Sequence, residues 1–211
     1  VPAGSGSDFA RTFGLDRTPE RLARHLDGEA LFPIDVGRAR LRTLDGAIRP
    51  VLFANIAEVG YGAVVVERAN RLPRFLGRSR YLVGVFAALR SFGLRRLRVT
   101  LDHTEVEGEY SNLVVANGQF FGGKMKVAPR ALPDDGRYNV QLWRGSPRDV
   151  FLMTPKVRRG EHIPHEQVQE WQSSRVEVET DDPVLVEADG EVLGTTGAVF
   201  DLLPKAVNLK I

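Results

Sequence analysis

Apolar and polar residues alternate with a period of two through much of the chain. Arg175-Val176-Glu177-Val178-Glu179-Thr180 does so cleanly and reads as a half-buried strand. Leu97 to Leu101, Tyr110 to Ala116, Val140-Gln141-Leu142-Trp143, Val184 to Glu187 and Ala198 to Leu202 read as further strands, and Ala206 to Ile211 as a short last one. Residues 38–66 also read as strands: Ala39 to Thr43, a Leu44-Asp45-Gly46 turn, then Arg49 to Val59. Asp102-His103-Thr104-Glu105 reads as a turn. Helical spacing is rarer. Leu82, Val85, Phe86, Leu89 and Phe92 repeat with it between Tyr81 and Phe92. Thr18-Pro19 opens a second helix that runs to about Leu26, with Gly28 ending it, and Ser146-Pro147 opens a third. Many antiparallel strands with few helices predict an α+β fold, sandwich-like and mostly antiparallel.

At 211 residues and 43% apolar content, the chain is long enough for one large domain or one and a half. It holds no cysteine, which excludes disulfides and thiolate metal sites and favours a reducing compartment. No uncharged apolar run approaches the ~18 residues of a membrane span, so a soluble or peripheral protein is expected. The net charge of +2 is unevenly spread. Residues 1–100 carry a surplus of eight positive charges and residues 101–211 a deficit of six. Between Arg68 and Arg98 stand nine arginines and no acid, a patch suited to an anionic surface. Leu72, Phe75 and Leu76 are interleaved with them, so the region reads as a core helix with a basic approach, as an interfacial element, or as both. No recognised nucleic-acid module accompanies it. His162 and His165 lack the ligand pattern of a zinc site and read as surface or capping residues.

The chemistry concentrates between Asn117 and Gly136, NGQFFGGKMKVAPRALPDDG. Gly118, Gly122 and Gly123 permit positive φ or close approach, and Asp134-Asp135-Gly136 is a turn whose oxygens suit a hard cation. By composition alone this is a long hairpin loop. Together with Pro2-Ala3-Gly4-Ser5-Gly6-Ser7-Asp8-Phe9-Ala10-Arg11, Phe32-Pro33-Ile34-Asp35-Val36-Gly37 and Ala188-Asp189-Gly190-Glu191, however, it resembles the bacterial diacylglycerol kinase and lipid kinase family. Sphingosine kinases and, more distantly, NAD kinases are relatives of that family. The four segments follow the family's order across essentially the whole chain.

The resemblance implies ATP-dependent phosphorylation of a lipid hydroxyl, most readily diacylglycerol to phosphatidic acid. It casts Glu191 as the proton acceptor, Asp8 and Asp35 as organisers of the nucleotide-bound Mg²⁺, and Ser5 with Gly4 and Gly6 as the loop beside the ATP phosphates. Ser7 stands where the family usually has Asn. A second, structural Mg²⁺ would fall on Leu132, Asp135 and Arg137, with Leu132 and Arg137 offering only backbone carbonyls. Residues 1–33 would then be the tail of an α/β nucleotide-binding domain, 34–205 a β-rich lipid-substrate domain, and 206–211 a strand returning to the nucleotide domain. A cytoplasmic protein peripheral to the inner membrane face is expected, docking through the Arg68–Arg98 region, with a homodimer left open. The family's GGDGT-type motif does not occur here, so the chain reads as a fragment that would be inactive by itself. The alternatives are a non-catalytic lipid- or membrane-binding module and an NAD kinase-like enzyme. The Asp189-Gly190-Glu191 motif argues against the latter.

Overall fold

A computed structural model describes residues 7–15, 18–77 and 79–210, with only the backbone given for Arg21, Arg24, Leu26 and Arg74. Short α1 (Asp8–Thr12) and α2 (Pro19–Asp27) precede the long strand β1 (Leu31–Thr43), which hairpins into β2 (Ile48–Phe53). Then follow β3 (Ile56–Gly60), α3 (Tyr61–Asn70), a 3-10 turn (Arg74–Leu76), α4 (Ser79–Ser91), β4 (Arg95–Thr100), β5 (Glu105–Tyr110) and β6 (Asn112–Ala116). After the glycine-rich segment come β7 (Tyr138–Trp143), α5 (Pro147–Arg159), β8 (Val168–Ser173), β9 (Arg175–Thr180), β10 (Leu185–Ala188) and β11 (Glu191–Lys210).

The eleven strands form one antiparallel sheet in the order β5-β4-β9-β11-β10-β3-β6-β7-β8, and β1 joins it through β11. The sheet curls so that its two wings share one core. Leu97 and Val99 of β4 and Val176 and Val178 of β9 pack in the same cluster as Leu113 and Val115 of β6 and Tyr138, Val140 and Leu142 of β7. That is the expected sandwich-like, mostly antiparallel α+β fold. The opposite face of β3, β6 and β7 is also covered. Ile56, Val114, Ala116 and Trp143 meet Val127, Ala128 and Ala131 of the glycine-rich segment and Met153 and Val157 of α5. Covering both faces makes β6 and β7 buried at every position.

Several expectations change. Residues 61–66 are helical, not extended. Gly60 at φ 107° breaks the strand, and α3 then lays Ala63, Val66 and Ala69 against the sheet. Packing overrides the strand preference of Val64-Val65-Val66. The strand from Arg49 to Val59 is interrupted at Ala54-Asn55. The segments Ala198–Leu202 and 206–210 belong to one strand, β11, which absorbs the irregularity as a bulge, and Ile211 lies outside the described residues. Between the pairs Ile34–Val207 and Val36–Leu203, β11 holds two extra residues, with Lys205 at φ 49°. His162 is neither surface nor capping. It is fully buried, stacked on Trp143 at 5.3 Å, with Nε2 3.0 Å from the Val127 carbonyl, and burial pushes its pKa below the usual value.

Candidate functional site

The ends of β1, β3, β6 and β10 and the start of β11 converge at one end of the sheet, and the singled-out segments gather there. The hairpin from β10 to β11 turns through Asp189 at φ 51° and Gly190 at φ 90°, two positive-φ residues as tight hairpins demand. The Asp189 carboxylate leaves the turn and accepts hydrogen bonds from three successive backbone amides, Ala54 at 2.8 Å and Asn55 and Ile56 at 3.1 Å each. Capturing these amides is what interrupts the strand at Ala54-Asn55. Burial nevertheless holds the Asp189 carboxyl above its ordinary pKa. Glu191, next along, is exposed. The arrangement presents one carboxylate to solvent on a turn fixed by another.

The Ala54-Asn55 bend also grips the glycine-rich segment. The Asn55 carbonyl accepts from the amides of Asn117 and Gly118, and the Asn55 side chain donates to the Phe120 carbonyl at 2.9 Å. Gly118 is required because a Cβ there would collide with the Asn55 side-chain oxygen. Asn117 is fully buried and its amide donates to two carbonyls, Asp35 and Ala54, both at 2.9 Å. Asn117→Ala is therefore expected to leave one buried and one half-buried carbonyl short of a donor and to cost about 2–3 kcal/mol. A lower urea midpoint at unchanged slope would register that loss, and an unchanged midpoint would deny Asn117 this role.

Asp35 is fully buried at the β11 bulge. Its Oδ1 accepts from Lys205 N and its Oδ2 from Gly136 N, both at 2.8 Å, and its own amide donates to the Pro133 carbonyl. It fastens the Asp134-Asp135-Gly136 loop to the strand. Asp8 behaves similarly from α1, accepting from Gly123 N and Lys124 N at 2.8 Å each, where Gly122, Gly123 and Lys124 all hold positive φ. Thr12 accepts from Gln119 N at 3.1 Å, so α1 rides on the same segment. Asp8 and Asp35 thus shape two different turns of one loop. Gly4, Ser5 and Gly6 lie outside the described residues.

The loop from 132 to 137 carries excess negative charge. Partial burial, together with the neighbouring Asp35 and Asp134 carboxylates, holds Asp135 above its ordinary pKa against the pull of the Arg137 amide. A cation there would relieve that strain. The donor set of one carboxylate and the backbone carbonyls of Leu132 and Arg137 fits Mg²⁺, which keeps several waters. Among the described residues no group of three or more acidic, His or Cys side chains forms a closed metal site.

A second carboxyl pair lies behind the hairpin. Glu187 of β10 stands directly opposite Glu58 of β3, and both are buried. Glu187 Oε2 accepts from Gly190 N at 2.9 Å, Glu58 Oε1 accepts from the Asn112 side chain at 2.9 Å, and Glu187 Oε1 has no hydrogen-bond partner. Burial pushes Glu58 up to about 7, and burial together with the Glu58 charge pushes Glu187 well above the usual range. Sequence reasoning missed this pair as well as Asn55 and Asn117. Asparagine at the strand boundaries in Phe53-Ala54-Asn55 and Val115-Ala116-Asn117 was the available signal for the last two.

The chain has known relatives. The chain is 28% identical over 212 residues to a protein named diacylglycerol kinase from Mycobacterium tuberculosis (strain CDC 1551 / Oshkosh), covering 99% of this chain and 67% of that protein. It is 29% identical over 214 residues to a Shewanella frigidimarina protein named "Probable lipid kinase YegS-like", covering 99% of this chain and 65% of the relative. The chain thus spans about two thirds of the length of these relatives. A crystal structure of a diacylglycerol kinase from Bacillus anthracis (strain Sterne) shares the fold, with a TM-score of 0.67 at 17% identity over all of this chain and 65% of that one. The family model of the YegS C-terminal NAD kinase beta sandwich-like domain matches residues 55–211. With its curled antiparallel sheet and its glycine-rich segment locked to a conformationally fixed hairpin, the chain belongs to the YegS C-terminal domain family.

Proposed function

We propose that the full-length protein is an ATP-dependent lipid kinase that phosphorylates a lipid hydroxyl, diacylglycerol being the acceptor that yields phosphatidic acid. The observation that carries this reading is Glu191. It is exposed on a turn whose partner, Asp189, is bonded to three amides of the bend that also holds the glycine-rich segment. Phosphoryl transfer asks for phosphates held in place, their charge neutralised, and a base at the acceptor hydroxyl. In the proposed step the acceptor oxygen bonds to the γ-phosphorus, the bond from that phosphorus to the β,γ-bridging oxygen breaks, ADP leaves, and the hydroxyl proton passes to Glu191.

Asp8 and Asp35 act in this reading by fixing the glycine-rich segment at its two turns. Leu132, Asp135 and Arg137 would hold a structural Mg²⁺ through one carboxylate and two carbonyls. Mg²⁺ accompanying ATP supplies charge neutralisation at the phosphates. Ser5, Gly4 and Gly6 are proposed to lie against those phosphates, and a peripheral location at the inner membrane face follows from the acceptor. The test is incubation of the full-length protein with ATP, Mg²⁺ and diacylglycerol in mixed micelles, with the lipid product read by mass spectrometry. Phosphatidic acid is expected. Phosphorylation of soluble NAD without any lipid product would overturn the reading.

A further inference from the structure

Helix α4 leaves part of its apolar surface uncovered. It packs against α3 through Gly84 and Ala88, so closely that a Cβ on Gly84 would lie 2.7 Å from the Val65 carbonyl oxygen. Of the side chains whose spacing suggested a core helix, Val85 and Leu89 are half-buried and Phe92 packs against the core, but Leu82 at 60% and Phe86 at 57% are exposed, with Val83 beside them. Phe75, in the turn before the helix, is 87% exposed. Helix α5 extends the same surface. The Phe86 ring meets Phe151 at 5.8 Å, and next to Phe151 stands Leu152, 73% exposed.

The charge around this ledge is selective. The arginine run does not supply it uniformly, because Arg96 and Arg98 are engaged by Glu107, Glu105 and Glu179 on neighbouring strands, and Arg68 and Arg71 by Glu67. Residues four apart share a helix face. Leu82, Phe86 and Arg90 therefore form one row on α4, and Arg148, Leu152 and Lys156 form another on α5. Arg90, Arg148 and Lys156 are exposed, and among the described residues no acid pairs with them. Each helix thus presents apolar side chains flanked by free cations, the pattern of an element lying in the headgroup region of a bilayer.

We propose that α4, the Arg74–Leu76 turn and α5 form a docking face for a lipid bilayer bearing anionic headgroups. The partner is a surface, not a pocket ligand: the aromatic and aliphatic side chains enter the acyl boundary and the three cations meet the headgroups. This deepens the lipid-acceptor reading and rests on it for its purpose, since a lipid kinase must reach an acceptor held in a membrane. Its test does not rest on that reading.

Full-length protein is sedimented, without nucleotide, with vesicles of phosphatidylcholine containing about 30 mol% phosphatidylglycerol. Binding is expected at about 0.1 M salt and should weaken steeply at about 0.5 M. Phe86→Asp combined with Leu152→Asp should weaken it at least tenfold, as should Arg90→Glu with Lys156→Glu. All four side chains are exposed, so thermal melts should match the parent protein. Failure of the parent to sediment, or equal binding by both double variants, would overturn the proposal. So would a dimer-to-monomer change on Phe86→Asp in light scattering, which would assign the ledge to a second copy. If vesicles bind as expected but micellar diacylglycerol is not phosphorylated, only the kinase reading falls.

Discussion

Glu191→Gln in the full-length protein is expected to lower kcat for lipid phosphorylation by about 10²–10⁴-fold, the usual contribution of a positioned base. The melting temperature should stay within experimental error. Glu191 is exposed and no hydrogen bond to another described residue depends on it, so its replacement is worth no more than about 0.5 kcal/mol in stability. The amide keeps the shape of the carboxylate while removing its capacity to take a proton. Asp189→Asn is the informative companion. It should lose activity and stability together, because it weakens the three backbone bonds that orient the turn. Separate behaviour of the two variants distinguishes a base from a positioning residue. Activity of Glu191→Gln within threefold of the parent would remove Glu191 from the proton-transfer role.

The fold was legible wherever one face of a strand is buried and the other wet. Val176 and Val178 alternate with exposed or half-exposed Arg175, Glu177 and Glu179, and that pattern is β9. It was illegible where tertiary structure changes the rule. Val168–Ser173 contains four polar residues in six, yet it is β8, carried by its ladder to β7. Between the Asp102–Glu105 turn and the strand from Tyr110, the acid-rich stretch of Glu105–Tyr110 shows no strand pattern that reads as core, because its acids are solvated. They form the outer edge of β5, facing Arg96 and Arg98 across the ladder.

The candidate site divides in the same way. The residue types of the loop and hairpin were visible, but the asparagines that tie them together were not. Their partners are backbone groups more than sixty positions away, as in the bonds from Asn55 to Phe120 and from Asn117 to Asp35 and Ala54. Sequence spacing carries no trace of such bonds. The charge count of the Arg68–Arg98 run likewise carries no trace of the acids that the curled sheet brings opposite Arg96 and Arg98.

The Glu58–Glu187 pair predicts that stability falls as pH rises through neutrality. Both carboxyls have raised pKa values in the folded protein, so the native state keeps protons that the unfolded chain has already released. The decline begins near the ordinary glutamate value and runs through about 7 for Glu58, and Glu187 adds its own decline above the ordinary range. A shift from 4.5 to about 7 at Glu58 corresponds to about 3 kcal/mol lost across the window. His162 works in the opposite direction. Its folded pKa is depressed, so it adds stability as pH rises, but only up to its unfolded value of about 6.5. Above that value the carboxyl pair acts without this opposition.

Glu187→Gln should abolish its share of the decline while its side-chain carbonyl still accepts from Gly190 N. The expected result is a variant more stable than the parent at pH 8.5, with the gap between the two closing as pH falls toward 5. Urea denaturation at pH 5, 7 and 8.5 reads this directly, and taking the difference between parent and variant cancels His162. Parallel stability curves across that range would mean that Glu187 ionises in the native state as readily as in the unfolded chain, and would overturn its assignment as a buried acid that keeps its proton.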